Sequence, residues 1–381
     1  MLIYLTPILP ILVGKLISQR AHEKYSDAKN IDLFLTFFPF LLMAVIVGLR
    51  GQDVGVDTIN YLDNAKTYQT ISYKDLFSLS LARGSMTYKP TEMEIGYCII
   101  AKFLYDIFHS TQAIILFMAF STYFSFWISA NYLSEDPFLS TLMVLSTGFF
   151  VNSITISRQL MVVGMLSVTY IFILKKKWVP TILLLALSLS FHQTAILGFL
   201  AMAFIRIIPI RRKNALMLFA LNLAFIVLIH PISIIFVQVF PKYASFLSVK
   251  DRLSSFGLIR ILWLLEILIT FYFLLYAFDN IEKDSLTIYD HHLFSSICFT
   301  YFYIGLTLCS EYVWLVYRVG LYFQIGTLFI FPMLLRRLRN NAPKSLYFIA
   351  TYGTYCFFIL WYIITIKNNT KILYTSPWLT I

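Results

Sequence analysis

Apolar segments of membrane-spanning length recur from one end of this 381-residue chain to the other. Hydrophobic residues make up 59% of the sequence and charged residues only 13%, about half the charged share of an ordinary soluble domain. A run of about 20 apolar residues crosses a bilayer as a helix, because a helix satisfies its own backbone hydrogen bonds in lipid. The sequence therefore predicts an all-α fold, a polytopic transmembrane helix bundle.

We predict about 12 spans within a single integral membrane domain that covers residues 1–381. No polar block is long enough to fold separately, and no internal repeat is apparent. The predicted spans are 2–18, 31–49, 111–131, 138–152, 158–174, 178–191, 194–207, 214–231, 258–278, 291–309, 313–335 and 344–366.

Basic clusters set the predicted orientation of these spans. Lysines and arginines favour the cytoplasmic side of a membrane protein, and the triplet 175–177 and the arginines near 336 fall on one side of the arrangement. Residues 50–93 and 232–257 then form outer loops. Residues 94–108 resemble a helix but carry three charged side chains, so we predict an interfacial or re-entrant segment there.

The charge and the cysteines exclude several classes of function. The net charge of +11 lies in short clusters beside apolar runs, which indicates membrane topology and contact with lipid headgroups rather than binding to nucleic acid. The four cysteines show no CxxC spacing and no neighbouring histidine cluster. Signatures of nucleotide-binding loops and of zinc hydrolases are absent as well. We therefore expect no cofactor and no metal.

Two polar breaks interrupt the apolar sequence between residues 152 and 195. Arg158 stands between Ser157 and Gln159 at the start of a predicted helix, and His192 is followed by Gln193 and Thr194. Arg158 is either a solvated loop residue or a phosphate ligand, because a guanidinium offers two parallel donors to phosphate oxygens. His192 is either a satisfied interfacial residue or a base or donor acting on a sugar.

The end of the second span adds further candidates. Arg50 either reaches towards the headgroups or binds an anion together with backbone amides near Gly51 and Gly55. Asp57 is a turn former, a partner of Arg50, a ligand for sugar hydroxyls or a general base. These alternatives stay open on residue type alone.

Arg318 lies within the eleventh predicted span, about two helical turns from its outer end. A charge at that depth is costly and normally faces the interior of a bundle, which favours a functional role. Glu311 is a candidate partner seven residues earlier, and Glu266 in the ninth span is another, with Arg260 as an alternative partner for Glu266.

Five short elements carry a resemblance to a known family, and they occur in one order along most of the chain. In these elements the chain resembles the EpsG/Wzy-type exopolysaccharide (capsule/O-antigen) polymerases of bacteria, although residues 232–290 match nothing in that pattern. The elements are Gly48-Leu49-Arg50 followed by Gly55 to Tyr61, then Glu94-Ile95-Gly96-Tyr97, then Ser157-Arg158-Gln159 opening a helix that ends in Lys175 to Lys177, then Phe191 to Ala195, and finally Arg318 to Phe323.

The resemblance implies a glycosyltransferase of GT-C-like architecture in the bacterial cytoplasmic (inner) membrane, with its active site facing outside. Such an enzyme joins oligosaccharide repeat units linked to undecaprenyl pyrophosphate and releases undecaprenyl pyrophosphate. The lipid pyrophosphate is already an activated leaving group, so arginines can offset its developing charge without a metal. The implied partners are these lipid-linked oligosaccharides, the bilayer, a flippase and chain-length regulator proteins, and no nucleic acid.

The resemblance also implies roles for individual residues. Arg158 and Arg318, supported by Arg50, are expected to bind the pyrophosphate. The acceptor sugar is expected to be activated or oriented by a catalytic group, with the choice among the candidates open. The substrate-binding candidates are Arg50, Arg158, Gln159, Arg318, Tyr61 and Tyr322, and the catalytic candidates are His192, Asp57 and Glu94.

Two other functions fit the same sequence features. A flippase for lipid-linked oligosaccharides also needs arginines for the pyrophosphate, and an O-antigen ligase-like glycosyltransferase moves a finished chain to a different acceptor. A polymerase differs from both, because it lengthens the glycan by successive repeat units.

Overall fold

Every regular element in the part of the chain that the computed structural model describes is a helix. The described residues are 2–25, 29–81, 93–239, 287–310 and 314–368. Within them, seven helices are long and apolar enough to cross a membrane, or eight if a pair bent by 47° forms one span. The prediction of an all-α polytopic membrane bundle is confirmed.

The helices follow one another with short connections and are numbered here in chain order. They are α1 (Leu2–Leu5), α2 (Ile8–Lys24), α3 (Lys29–Gly48), α4 (Thr58–Tyr68), α5 (Tyr73–Leu81), α6 (Ile95–Phe108), α7 (Gln112–Leu133), α8 (Pro137–Ser146), α9 (Phe149–Thr155), α10 (Ser157–Leu174), α11 (Trp178–Phe191), α12 (Ala195–Ile207), α13 (Arg212–Val239), α14 (Ile288–Cys309), α15 (Trp314–Phe323), α16 (Thr327–Asn341) and α17 (Lys344–Asn368), with a 3₁₀ turn at Gln324–Gly326.

The predicted spans correspond to these helices with one exception. The seven long helices, the bent pair α8 and α9, and three shorter apolar helices in α11, α12 and α13 each overlap a predicted span. The exception, 258–278, lies outside the described residues. The 14 residues of α6 cover about 21 Å by helical rise, less than the roughly 30 Å of a hydrocarbon core.

The two predicted outer loops contain more helix than expected. Residues 50–93 include α4 and α5, while 82–92 lie outside the described residues. Helix α13 passes through Pro231 and reaches Val239, eight residues beyond the predicted end of that span, and the rest of the loop to 257 is not described. Which side of the membrane these segments face stays a prediction.

The chain divides into two compact units, which are described separately. The first comprises Met1–Phe172, Trp178–Ala195 and Phe331–Ile381, and the second comprises Ile173–Lys177 and Ile196–Ile330. The prediction of a single membrane domain remains a prediction.

Helices α3 and α7 pack along each other in the first unit, and buried hydroxyl pairs attach α9 and α10 to α7. Ser129 Oγ lies 2.7 Å from Ser167 Oγ of α10, and Tyr123 Oη lies 2.6 Å from Ser153 Oγ of α9. Such pairs satisfy polar groups that would otherwise be stranded in an apolar interior. They therefore fix the rotation of α9 and α10 about their axes, and with it the direction in which residues 157–159 project.

The turn before α8 ties together three other helices of the first unit. Asp136 accepts a hydrogen bond from the Leu139 amide at 3.2 Å and caps α8, while Lys15 Nζ of α2 donates to Asp136 at 2.6 Å. Tyr355 of α17 also donates to Asp136 at 3.2 Å, and Arg336 pairs with Glu135. Two basic residues that we predict to be cytoplasmic, at 15 and 336, thus meet the same turn.

The second unit is organised around α14, which packs against α13 and α15. Its first turn is closed by a capping box between Thr287 and Asp290. Tyr301 stacks on Phe219 of α13 with 5.0 Å between ring centroids and donates to the Phe219 carbonyl at 2.9 Å. Asn222 Nδ2 donates in turn to the Tyr301 carbonyl at 3.0 Å. These contacts join α13 and α14 by hydrogen bonds within an otherwise apolar interface.

Candidate functional site

Arg158 lies in the first turn of α10, immediately after the chain leaves α9. Ile156 breaks the helical path with φ −124° and ψ 51°, which lets α10 begin a new helix at Ser157. Only 15% of the Arg158 side chain is exposed, and Ser157 and Gln159 on either side are buried. The amides of a first helical turn lack partners within their own helix and favour anions. The guanidinium of Arg158 adds a positive charge at this position, which further favours the binding of an anion.

Glu94 precedes the first residue of α6 and joins the two polar breaks seen in the sequence. Its Oε2 accepts a charge-assisted hydrogen bond from Arg158 Nη1. Its Oε1 accepts a hydrogen bond from the backbone amide of Gln193 at 3.3 Å and lies 3.5 Å from Nδ1 of His192. The exposed fractions of Glu94 and His192 are 11% and 13%, so the cluster is shielded but reachable. One carboxylate therefore bridges an arginine and a histidine.

Gly96 makes this meeting of α6 and α11 possible. A Cβ atom on Gly96 would lie 2.4 Å from Ser190 Oγ and 2.7 Å from the Ser190 carbonyl oxygen, both closer than atoms can approach. The start of α6 thus rests directly on the backbone at the end of α11. Because Glu94 is two residues before Gly96 and His192 is two residues after Ser190, the close approach brings the two side chains together.

The partners of Glu94 determine its charge. Burial raises the pKa of the Glu94 carboxyl, but the contact with His192 and the positive charge of Arg158 outweigh burial, and the net pKa lies below its usual value. The carboxylate is therefore ionised at neutral pH and neutralises Arg158 in the absence of substrate.

Two tyrosines, Tyr97 and Tyr61, lie next to Arg158. The guanidinium carbon of Arg158 lies 5.9 Å from the centroid of the Tyr97 ring, and Tyr97 Oη donates to the Tyr61 carbonyl at 2.7 Å. Burial first, and then the negative charge of Asp57, raise the pKa of Tyr61 to about 12, so its phenol stays neutral. Asp57 itself is half-buried at the N-cap of α4. The motif residues at 57 and 61 thus border the Arg158 region.

Arg50 is fully buried rather than directed towards headgroups or solvent. Its Nη2 donates to Ser157 Oγ at 2.6 Å, its Nε to Thr58 Oγ1 at 3.0 Å and its Nη1 to the Val47 carbonyl at 2.6 Å. The guanidinium therefore joins the end of α3 to the first residues of α4 and α10. This location corrects the interpretation of Arg50 as a headgroup-facing side chain, while its expected binding of substrate stays a prediction.

Gly55 shapes the turn between Arg50 and α4. Its φ of +87° is a conformation that side-chain-bearing residues rarely adopt, and a Cβ there would lie 2.1 Å from the carbonyl oxygen of Ile154. The turn therefore packs against the end of α9, directly before α10 begins. The first motif, which contains Gly55, therefore lies next to the beginning of α10, where Arg158 is located.

Arg318 and Tyr322 lie on α15 in the second unit, where Arg318 is half-buried and Tyr322 is buried. The proposed partners Glu311 and Glu266, and also Arg260, lie outside the described residues. A shared site between these residues and the Arg158 cluster stays a prediction.

Sequence reasoning named Glu94, Arg158 and His192 but not their contact with one another. It also assigned no role to Tyr97 or Gly96, although both belong to the Glu-x-Gly-Tyr element. The signal in that element was the glycine, since a residue without a Cβ atom lets another backbone approach closely. Within the described residues, no group of three or more His, Cys, Asp or Glu side chains is placed to hold a metal ion.

Comparison with known proteins identifies one family. The model of the EpsG family matches residues 33–376, which is nearly the whole chain and includes every residue of the cluster. No curated protein and no solved structure matches the chain.

Proposed function

The chain belongs to the EpsG family, a family of Wzy-type polysaccharide polymerases, and from this premise we propose which substrate it uses and how. We propose that it joins oligosaccharide repeat units linked to undecaprenyl pyrophosphate at the outer face of the cytoplasmic membrane and releases undecaprenyl pyrophosphate. The observation that carries the proposal is the contact of Arg158 and His192 with Glu94, which places a guanidinium and an imidazole around one carboxylate where solvent access is limited.

Arg158 is the proposed ligand of the pyrophosphate. Phosphate oxygens accept parallel hydrogen bonds from a guanidinium, and the first-turn amides of α10 favour the same negative charge. Charge develops on the pyrophosphate oxygen as the bond to the sugar breaks, and a fixed cation in a shielded site stabilises that charge more than water does. The buried residue Gln159 and the phenol of Tyr61 border this location and are the proposed further contacts to the substrate.

His192 is the proposed proton acceptor for the incoming sugar. In the transfer, a hydroxyl oxygen of the acceptor bonds to the anomeric carbon of the donor while the bond from that carbon to the pyrophosphate oxygen breaks. The bonding electrons leave with undecaprenyl pyrophosphate, and the hydroxyl proton passes to the imidazole. Glu94 beside Nδ1 orients the ring, as a carboxylate does for a catalytic histidine elsewhere.

The other candidate residues take supporting places in this proposal. Arg50 positions the start of α10 and does not itself touch phosphate, because its described bonds run to protein groups. Asp57 orients the acceptor near Tyr61. Arg318 and Tyr322 are proposed to contact the sugar or pyrophosphate of one of the two substrates. A flippase and chain-length regulators are the expected partner proteins.

Purified protein reconstituted in liposomes with lipid-linked repeat units tests the proposal. We expect a ladder of glycans that differ by one repeat unit, visible after electrophoresis. Repeat units that remain single would refute polymerisation, and single units that cross the bilayer would indicate a flippase. A finished chain transferred once to a different acceptor would indicate a ligase.

Arg158→Lys tests the assigned phosphate ligand. The ammonium keeps the charge but not the two parallel donors, so we expect polymerisation to fall by about 10–100-fold. Arg336→Lys is the matched control, because Arg336 of α16 is also paired with a glutamate, but that glutamate lies at the turn before α8, away from the cluster. Wild-type ladders from Arg158→Lys would show that this residue does not bind the pyrophosphate.

A further inference from the structure

Glu94 is paired with Arg158, the residue that is the proposed ligand of the pyrophosphate. Oε2 of Glu94 is held by Arg158, while Oε1 faces the Gln193 amide and the His192 ring. One oxygen of the carboxylate therefore pairs with the proposed phosphate ligand, and the other lies beside the proposed proton acceptor. A pyrophosphate at Arg158 has to share or replace the Glu94 contact, since both anions seek the same donor.

A pyrophosphate outcompetes a single carboxylate for a guanidinium. It carries more negative charge and more acceptor oxygens, and attraction between charges is strong where solvent is limited. The exposed fractions of 15% for Arg158 and 11% for Glu94 describe such a place. When Arg158 turns to the pyrophosphate, the negative charge of Glu94 remains beside His192 and the Gln193 amide.

We propose, on the basis of the proposed function, that Glu94 is a substrate-displaced carboxylate that couples donor binding to activation of His192. Without donor, Glu94 neutralises Arg158, and the negative charge of Glu94 is shared between Arg158 and His192. With donor bound, the pyrophosphate takes over Arg158, and Glu94 acts on the imidazole alone. The imidazole then accepts the hydroxyl proton of the acceptor sugar, the new glycosidic bond forms, and undecaprenyl pyrophosphate leaves with the electrons of the broken bond.

The surrounding groups leave His192 as the proton acceptor in this scheme. Burial raises the pKa of Tyr61 to about 12 and also raises the pKa of Tyr97, so neither phenol exchanges a proton near neutral pH. Burial opposes ionisation of Glu94, but its contacts with His192 and Arg158 lower its pKa, and it stays ionised. In the described part of the chain, Asp57 and Arg50 are two further charged groups that act on Tyr61 beside this cluster. The coupling therefore links one displaced carboxylate to one imidazole.

Titration calorimetry with inorganic pyrophosphate provides the first test. If Glu94 competes for Arg158, Glu94→Gln should bind pyrophosphate about tenfold more tightly than the wild type, which equals about 1.4 kcal/mol. The same variant should polymerise about 100-fold more slowly, because His192 loses the charge that supports it. Tighter binding together with slower turnover is the expected signature.

Glu135→Gln is the matched control, because it removes a carboxylate that pairs with an arginine away from the cluster. We expect it to change neither pyrophosphate affinity nor polymerisation. Glu94→Gln binding that equals or falls below wild-type binding would overturn the coupling, since a carboxylate that only holds Arg158 in place would weaken binding when removed.

The pH dependence of polymerisation tests the same coupling by a second readout. An imidazole accepts a proton only in its neutral form, so ladder formation should fall as pH falls, and this fall should move to lower pH in Glu94→Gln, which lacks the carboxylate charge beside the imidazole. A fall that does not move in Glu94→Gln, or that persists in His192→Gln, would overturn the proposal. If the wild type neither binds pyrophosphate nor forms ladders, the proposed function fails, whereas binding and ladders without these effects refute the coupling alone.

Discussion

Replacing Gly96 by alanine tests whether the close approach of α6 to α11 builds the site. The added Cβ would lie 2.7 Å from the carbonyl oxygen of Ser190 and 2.9 Å from its carbonyl carbon. Ordinary contact begins at 3.4 Å, so the two backbones must separate by about 0.7 Å. Rotation of the Ser190 hydroxyl relieves only the 2.4 Å contact with Oγ and leaves the backbone contacts in place.

The expected effect is larger on activity than on stability. Overpacking costs about 1–3 kcal/mol, and the better helix propensity of alanine offsets up to about 1 kcal/mol of that cost. A displacement of 0.7 Å at Glu94, two residues away, moves the carboxylate relative to His192. A misplacement of about 1 Å costs about 100-fold in rate, so we expect polymerisation to fall by about 10–100-fold.

The assay is the glycan ladder from liposomes, measured together with thermal unfolding of the purified variant. Gly353→Ala is the control, because Gly353 lies in α17 with nothing within 4 Å of the added Cβ. That variant should keep its activity and gain up to about 1 kcal/mol of stability. A second variant, Gly96→Ala with Ser190→Ala, should remain impaired. Wild-type ladders from Gly96→Ala would refute the reasoning.

Three further predictions concern the residues around the cluster. Gly55→Ala places a side chain at φ +87° and 2.1 Å from a carbonyl oxygen, so thermal unfolding should show a loss of at least about 1–3 kcal/mol, and an unchanged midpoint would contradict the strained turn. Arg50→Lys removes the three-way link from α3 to the starts of α4 and α10, so the variant should lose at least about 2 kcal/mol in denaturant unfolding and also polymerise more slowly. The Glu94 carboxyl has a pKa below its usual value, so its contribution to stability is present above the ordinary carboxyl range and is lost as pH falls through the lowered pKa. The difference in unfolding midpoint between wild type and Glu94→Gln should accordingly shrink as pH falls below about 5, and a difference independent of pH from about 5 down to about 3 would refute the pairing.

The membrane fold was readable from the sequence because its cause is local. A stretch such as residues 112–133 is apolar enough to demand a helix in lipid whatever its neighbours do, since no other open structure satisfies the backbone there. Short helices were harder to interpret, because α4 and α5 lie within a polar stretch that was predicted as a loop. The buried residues Tyr61, Leu62 and Ala65 recur at helical spacing in α4, which packs against α6 and α7, and α5 packs against α6.

Individual candidate residues were identifiable in the sequence for a related reason. Arg158 and His192 interrupt apolar sequence, and a charged or titratable group in such surroundings is costly unless it has a role. Arg50 met the same criterion, yet the structure buries it and bonds it to Ser157, the residue before Arg158. Residue type alone does not separate these roles, because the same guanidinium can bind a phosphate or a serine hydroxyl.

By itself, the sequence determined an all-helical membrane chain and the residue types available for binding phosphate and moving a proton. Only the tertiary structure decided that Glu94 joins Arg158 and His192. Glu94 is 64 residues from Arg158 and 99 residues from Gln193 along the chain, and local periodicity carries no information across such separations. The pairing depends on how closely α6 approaches α11 at Gly96, which is a property of packed backbones.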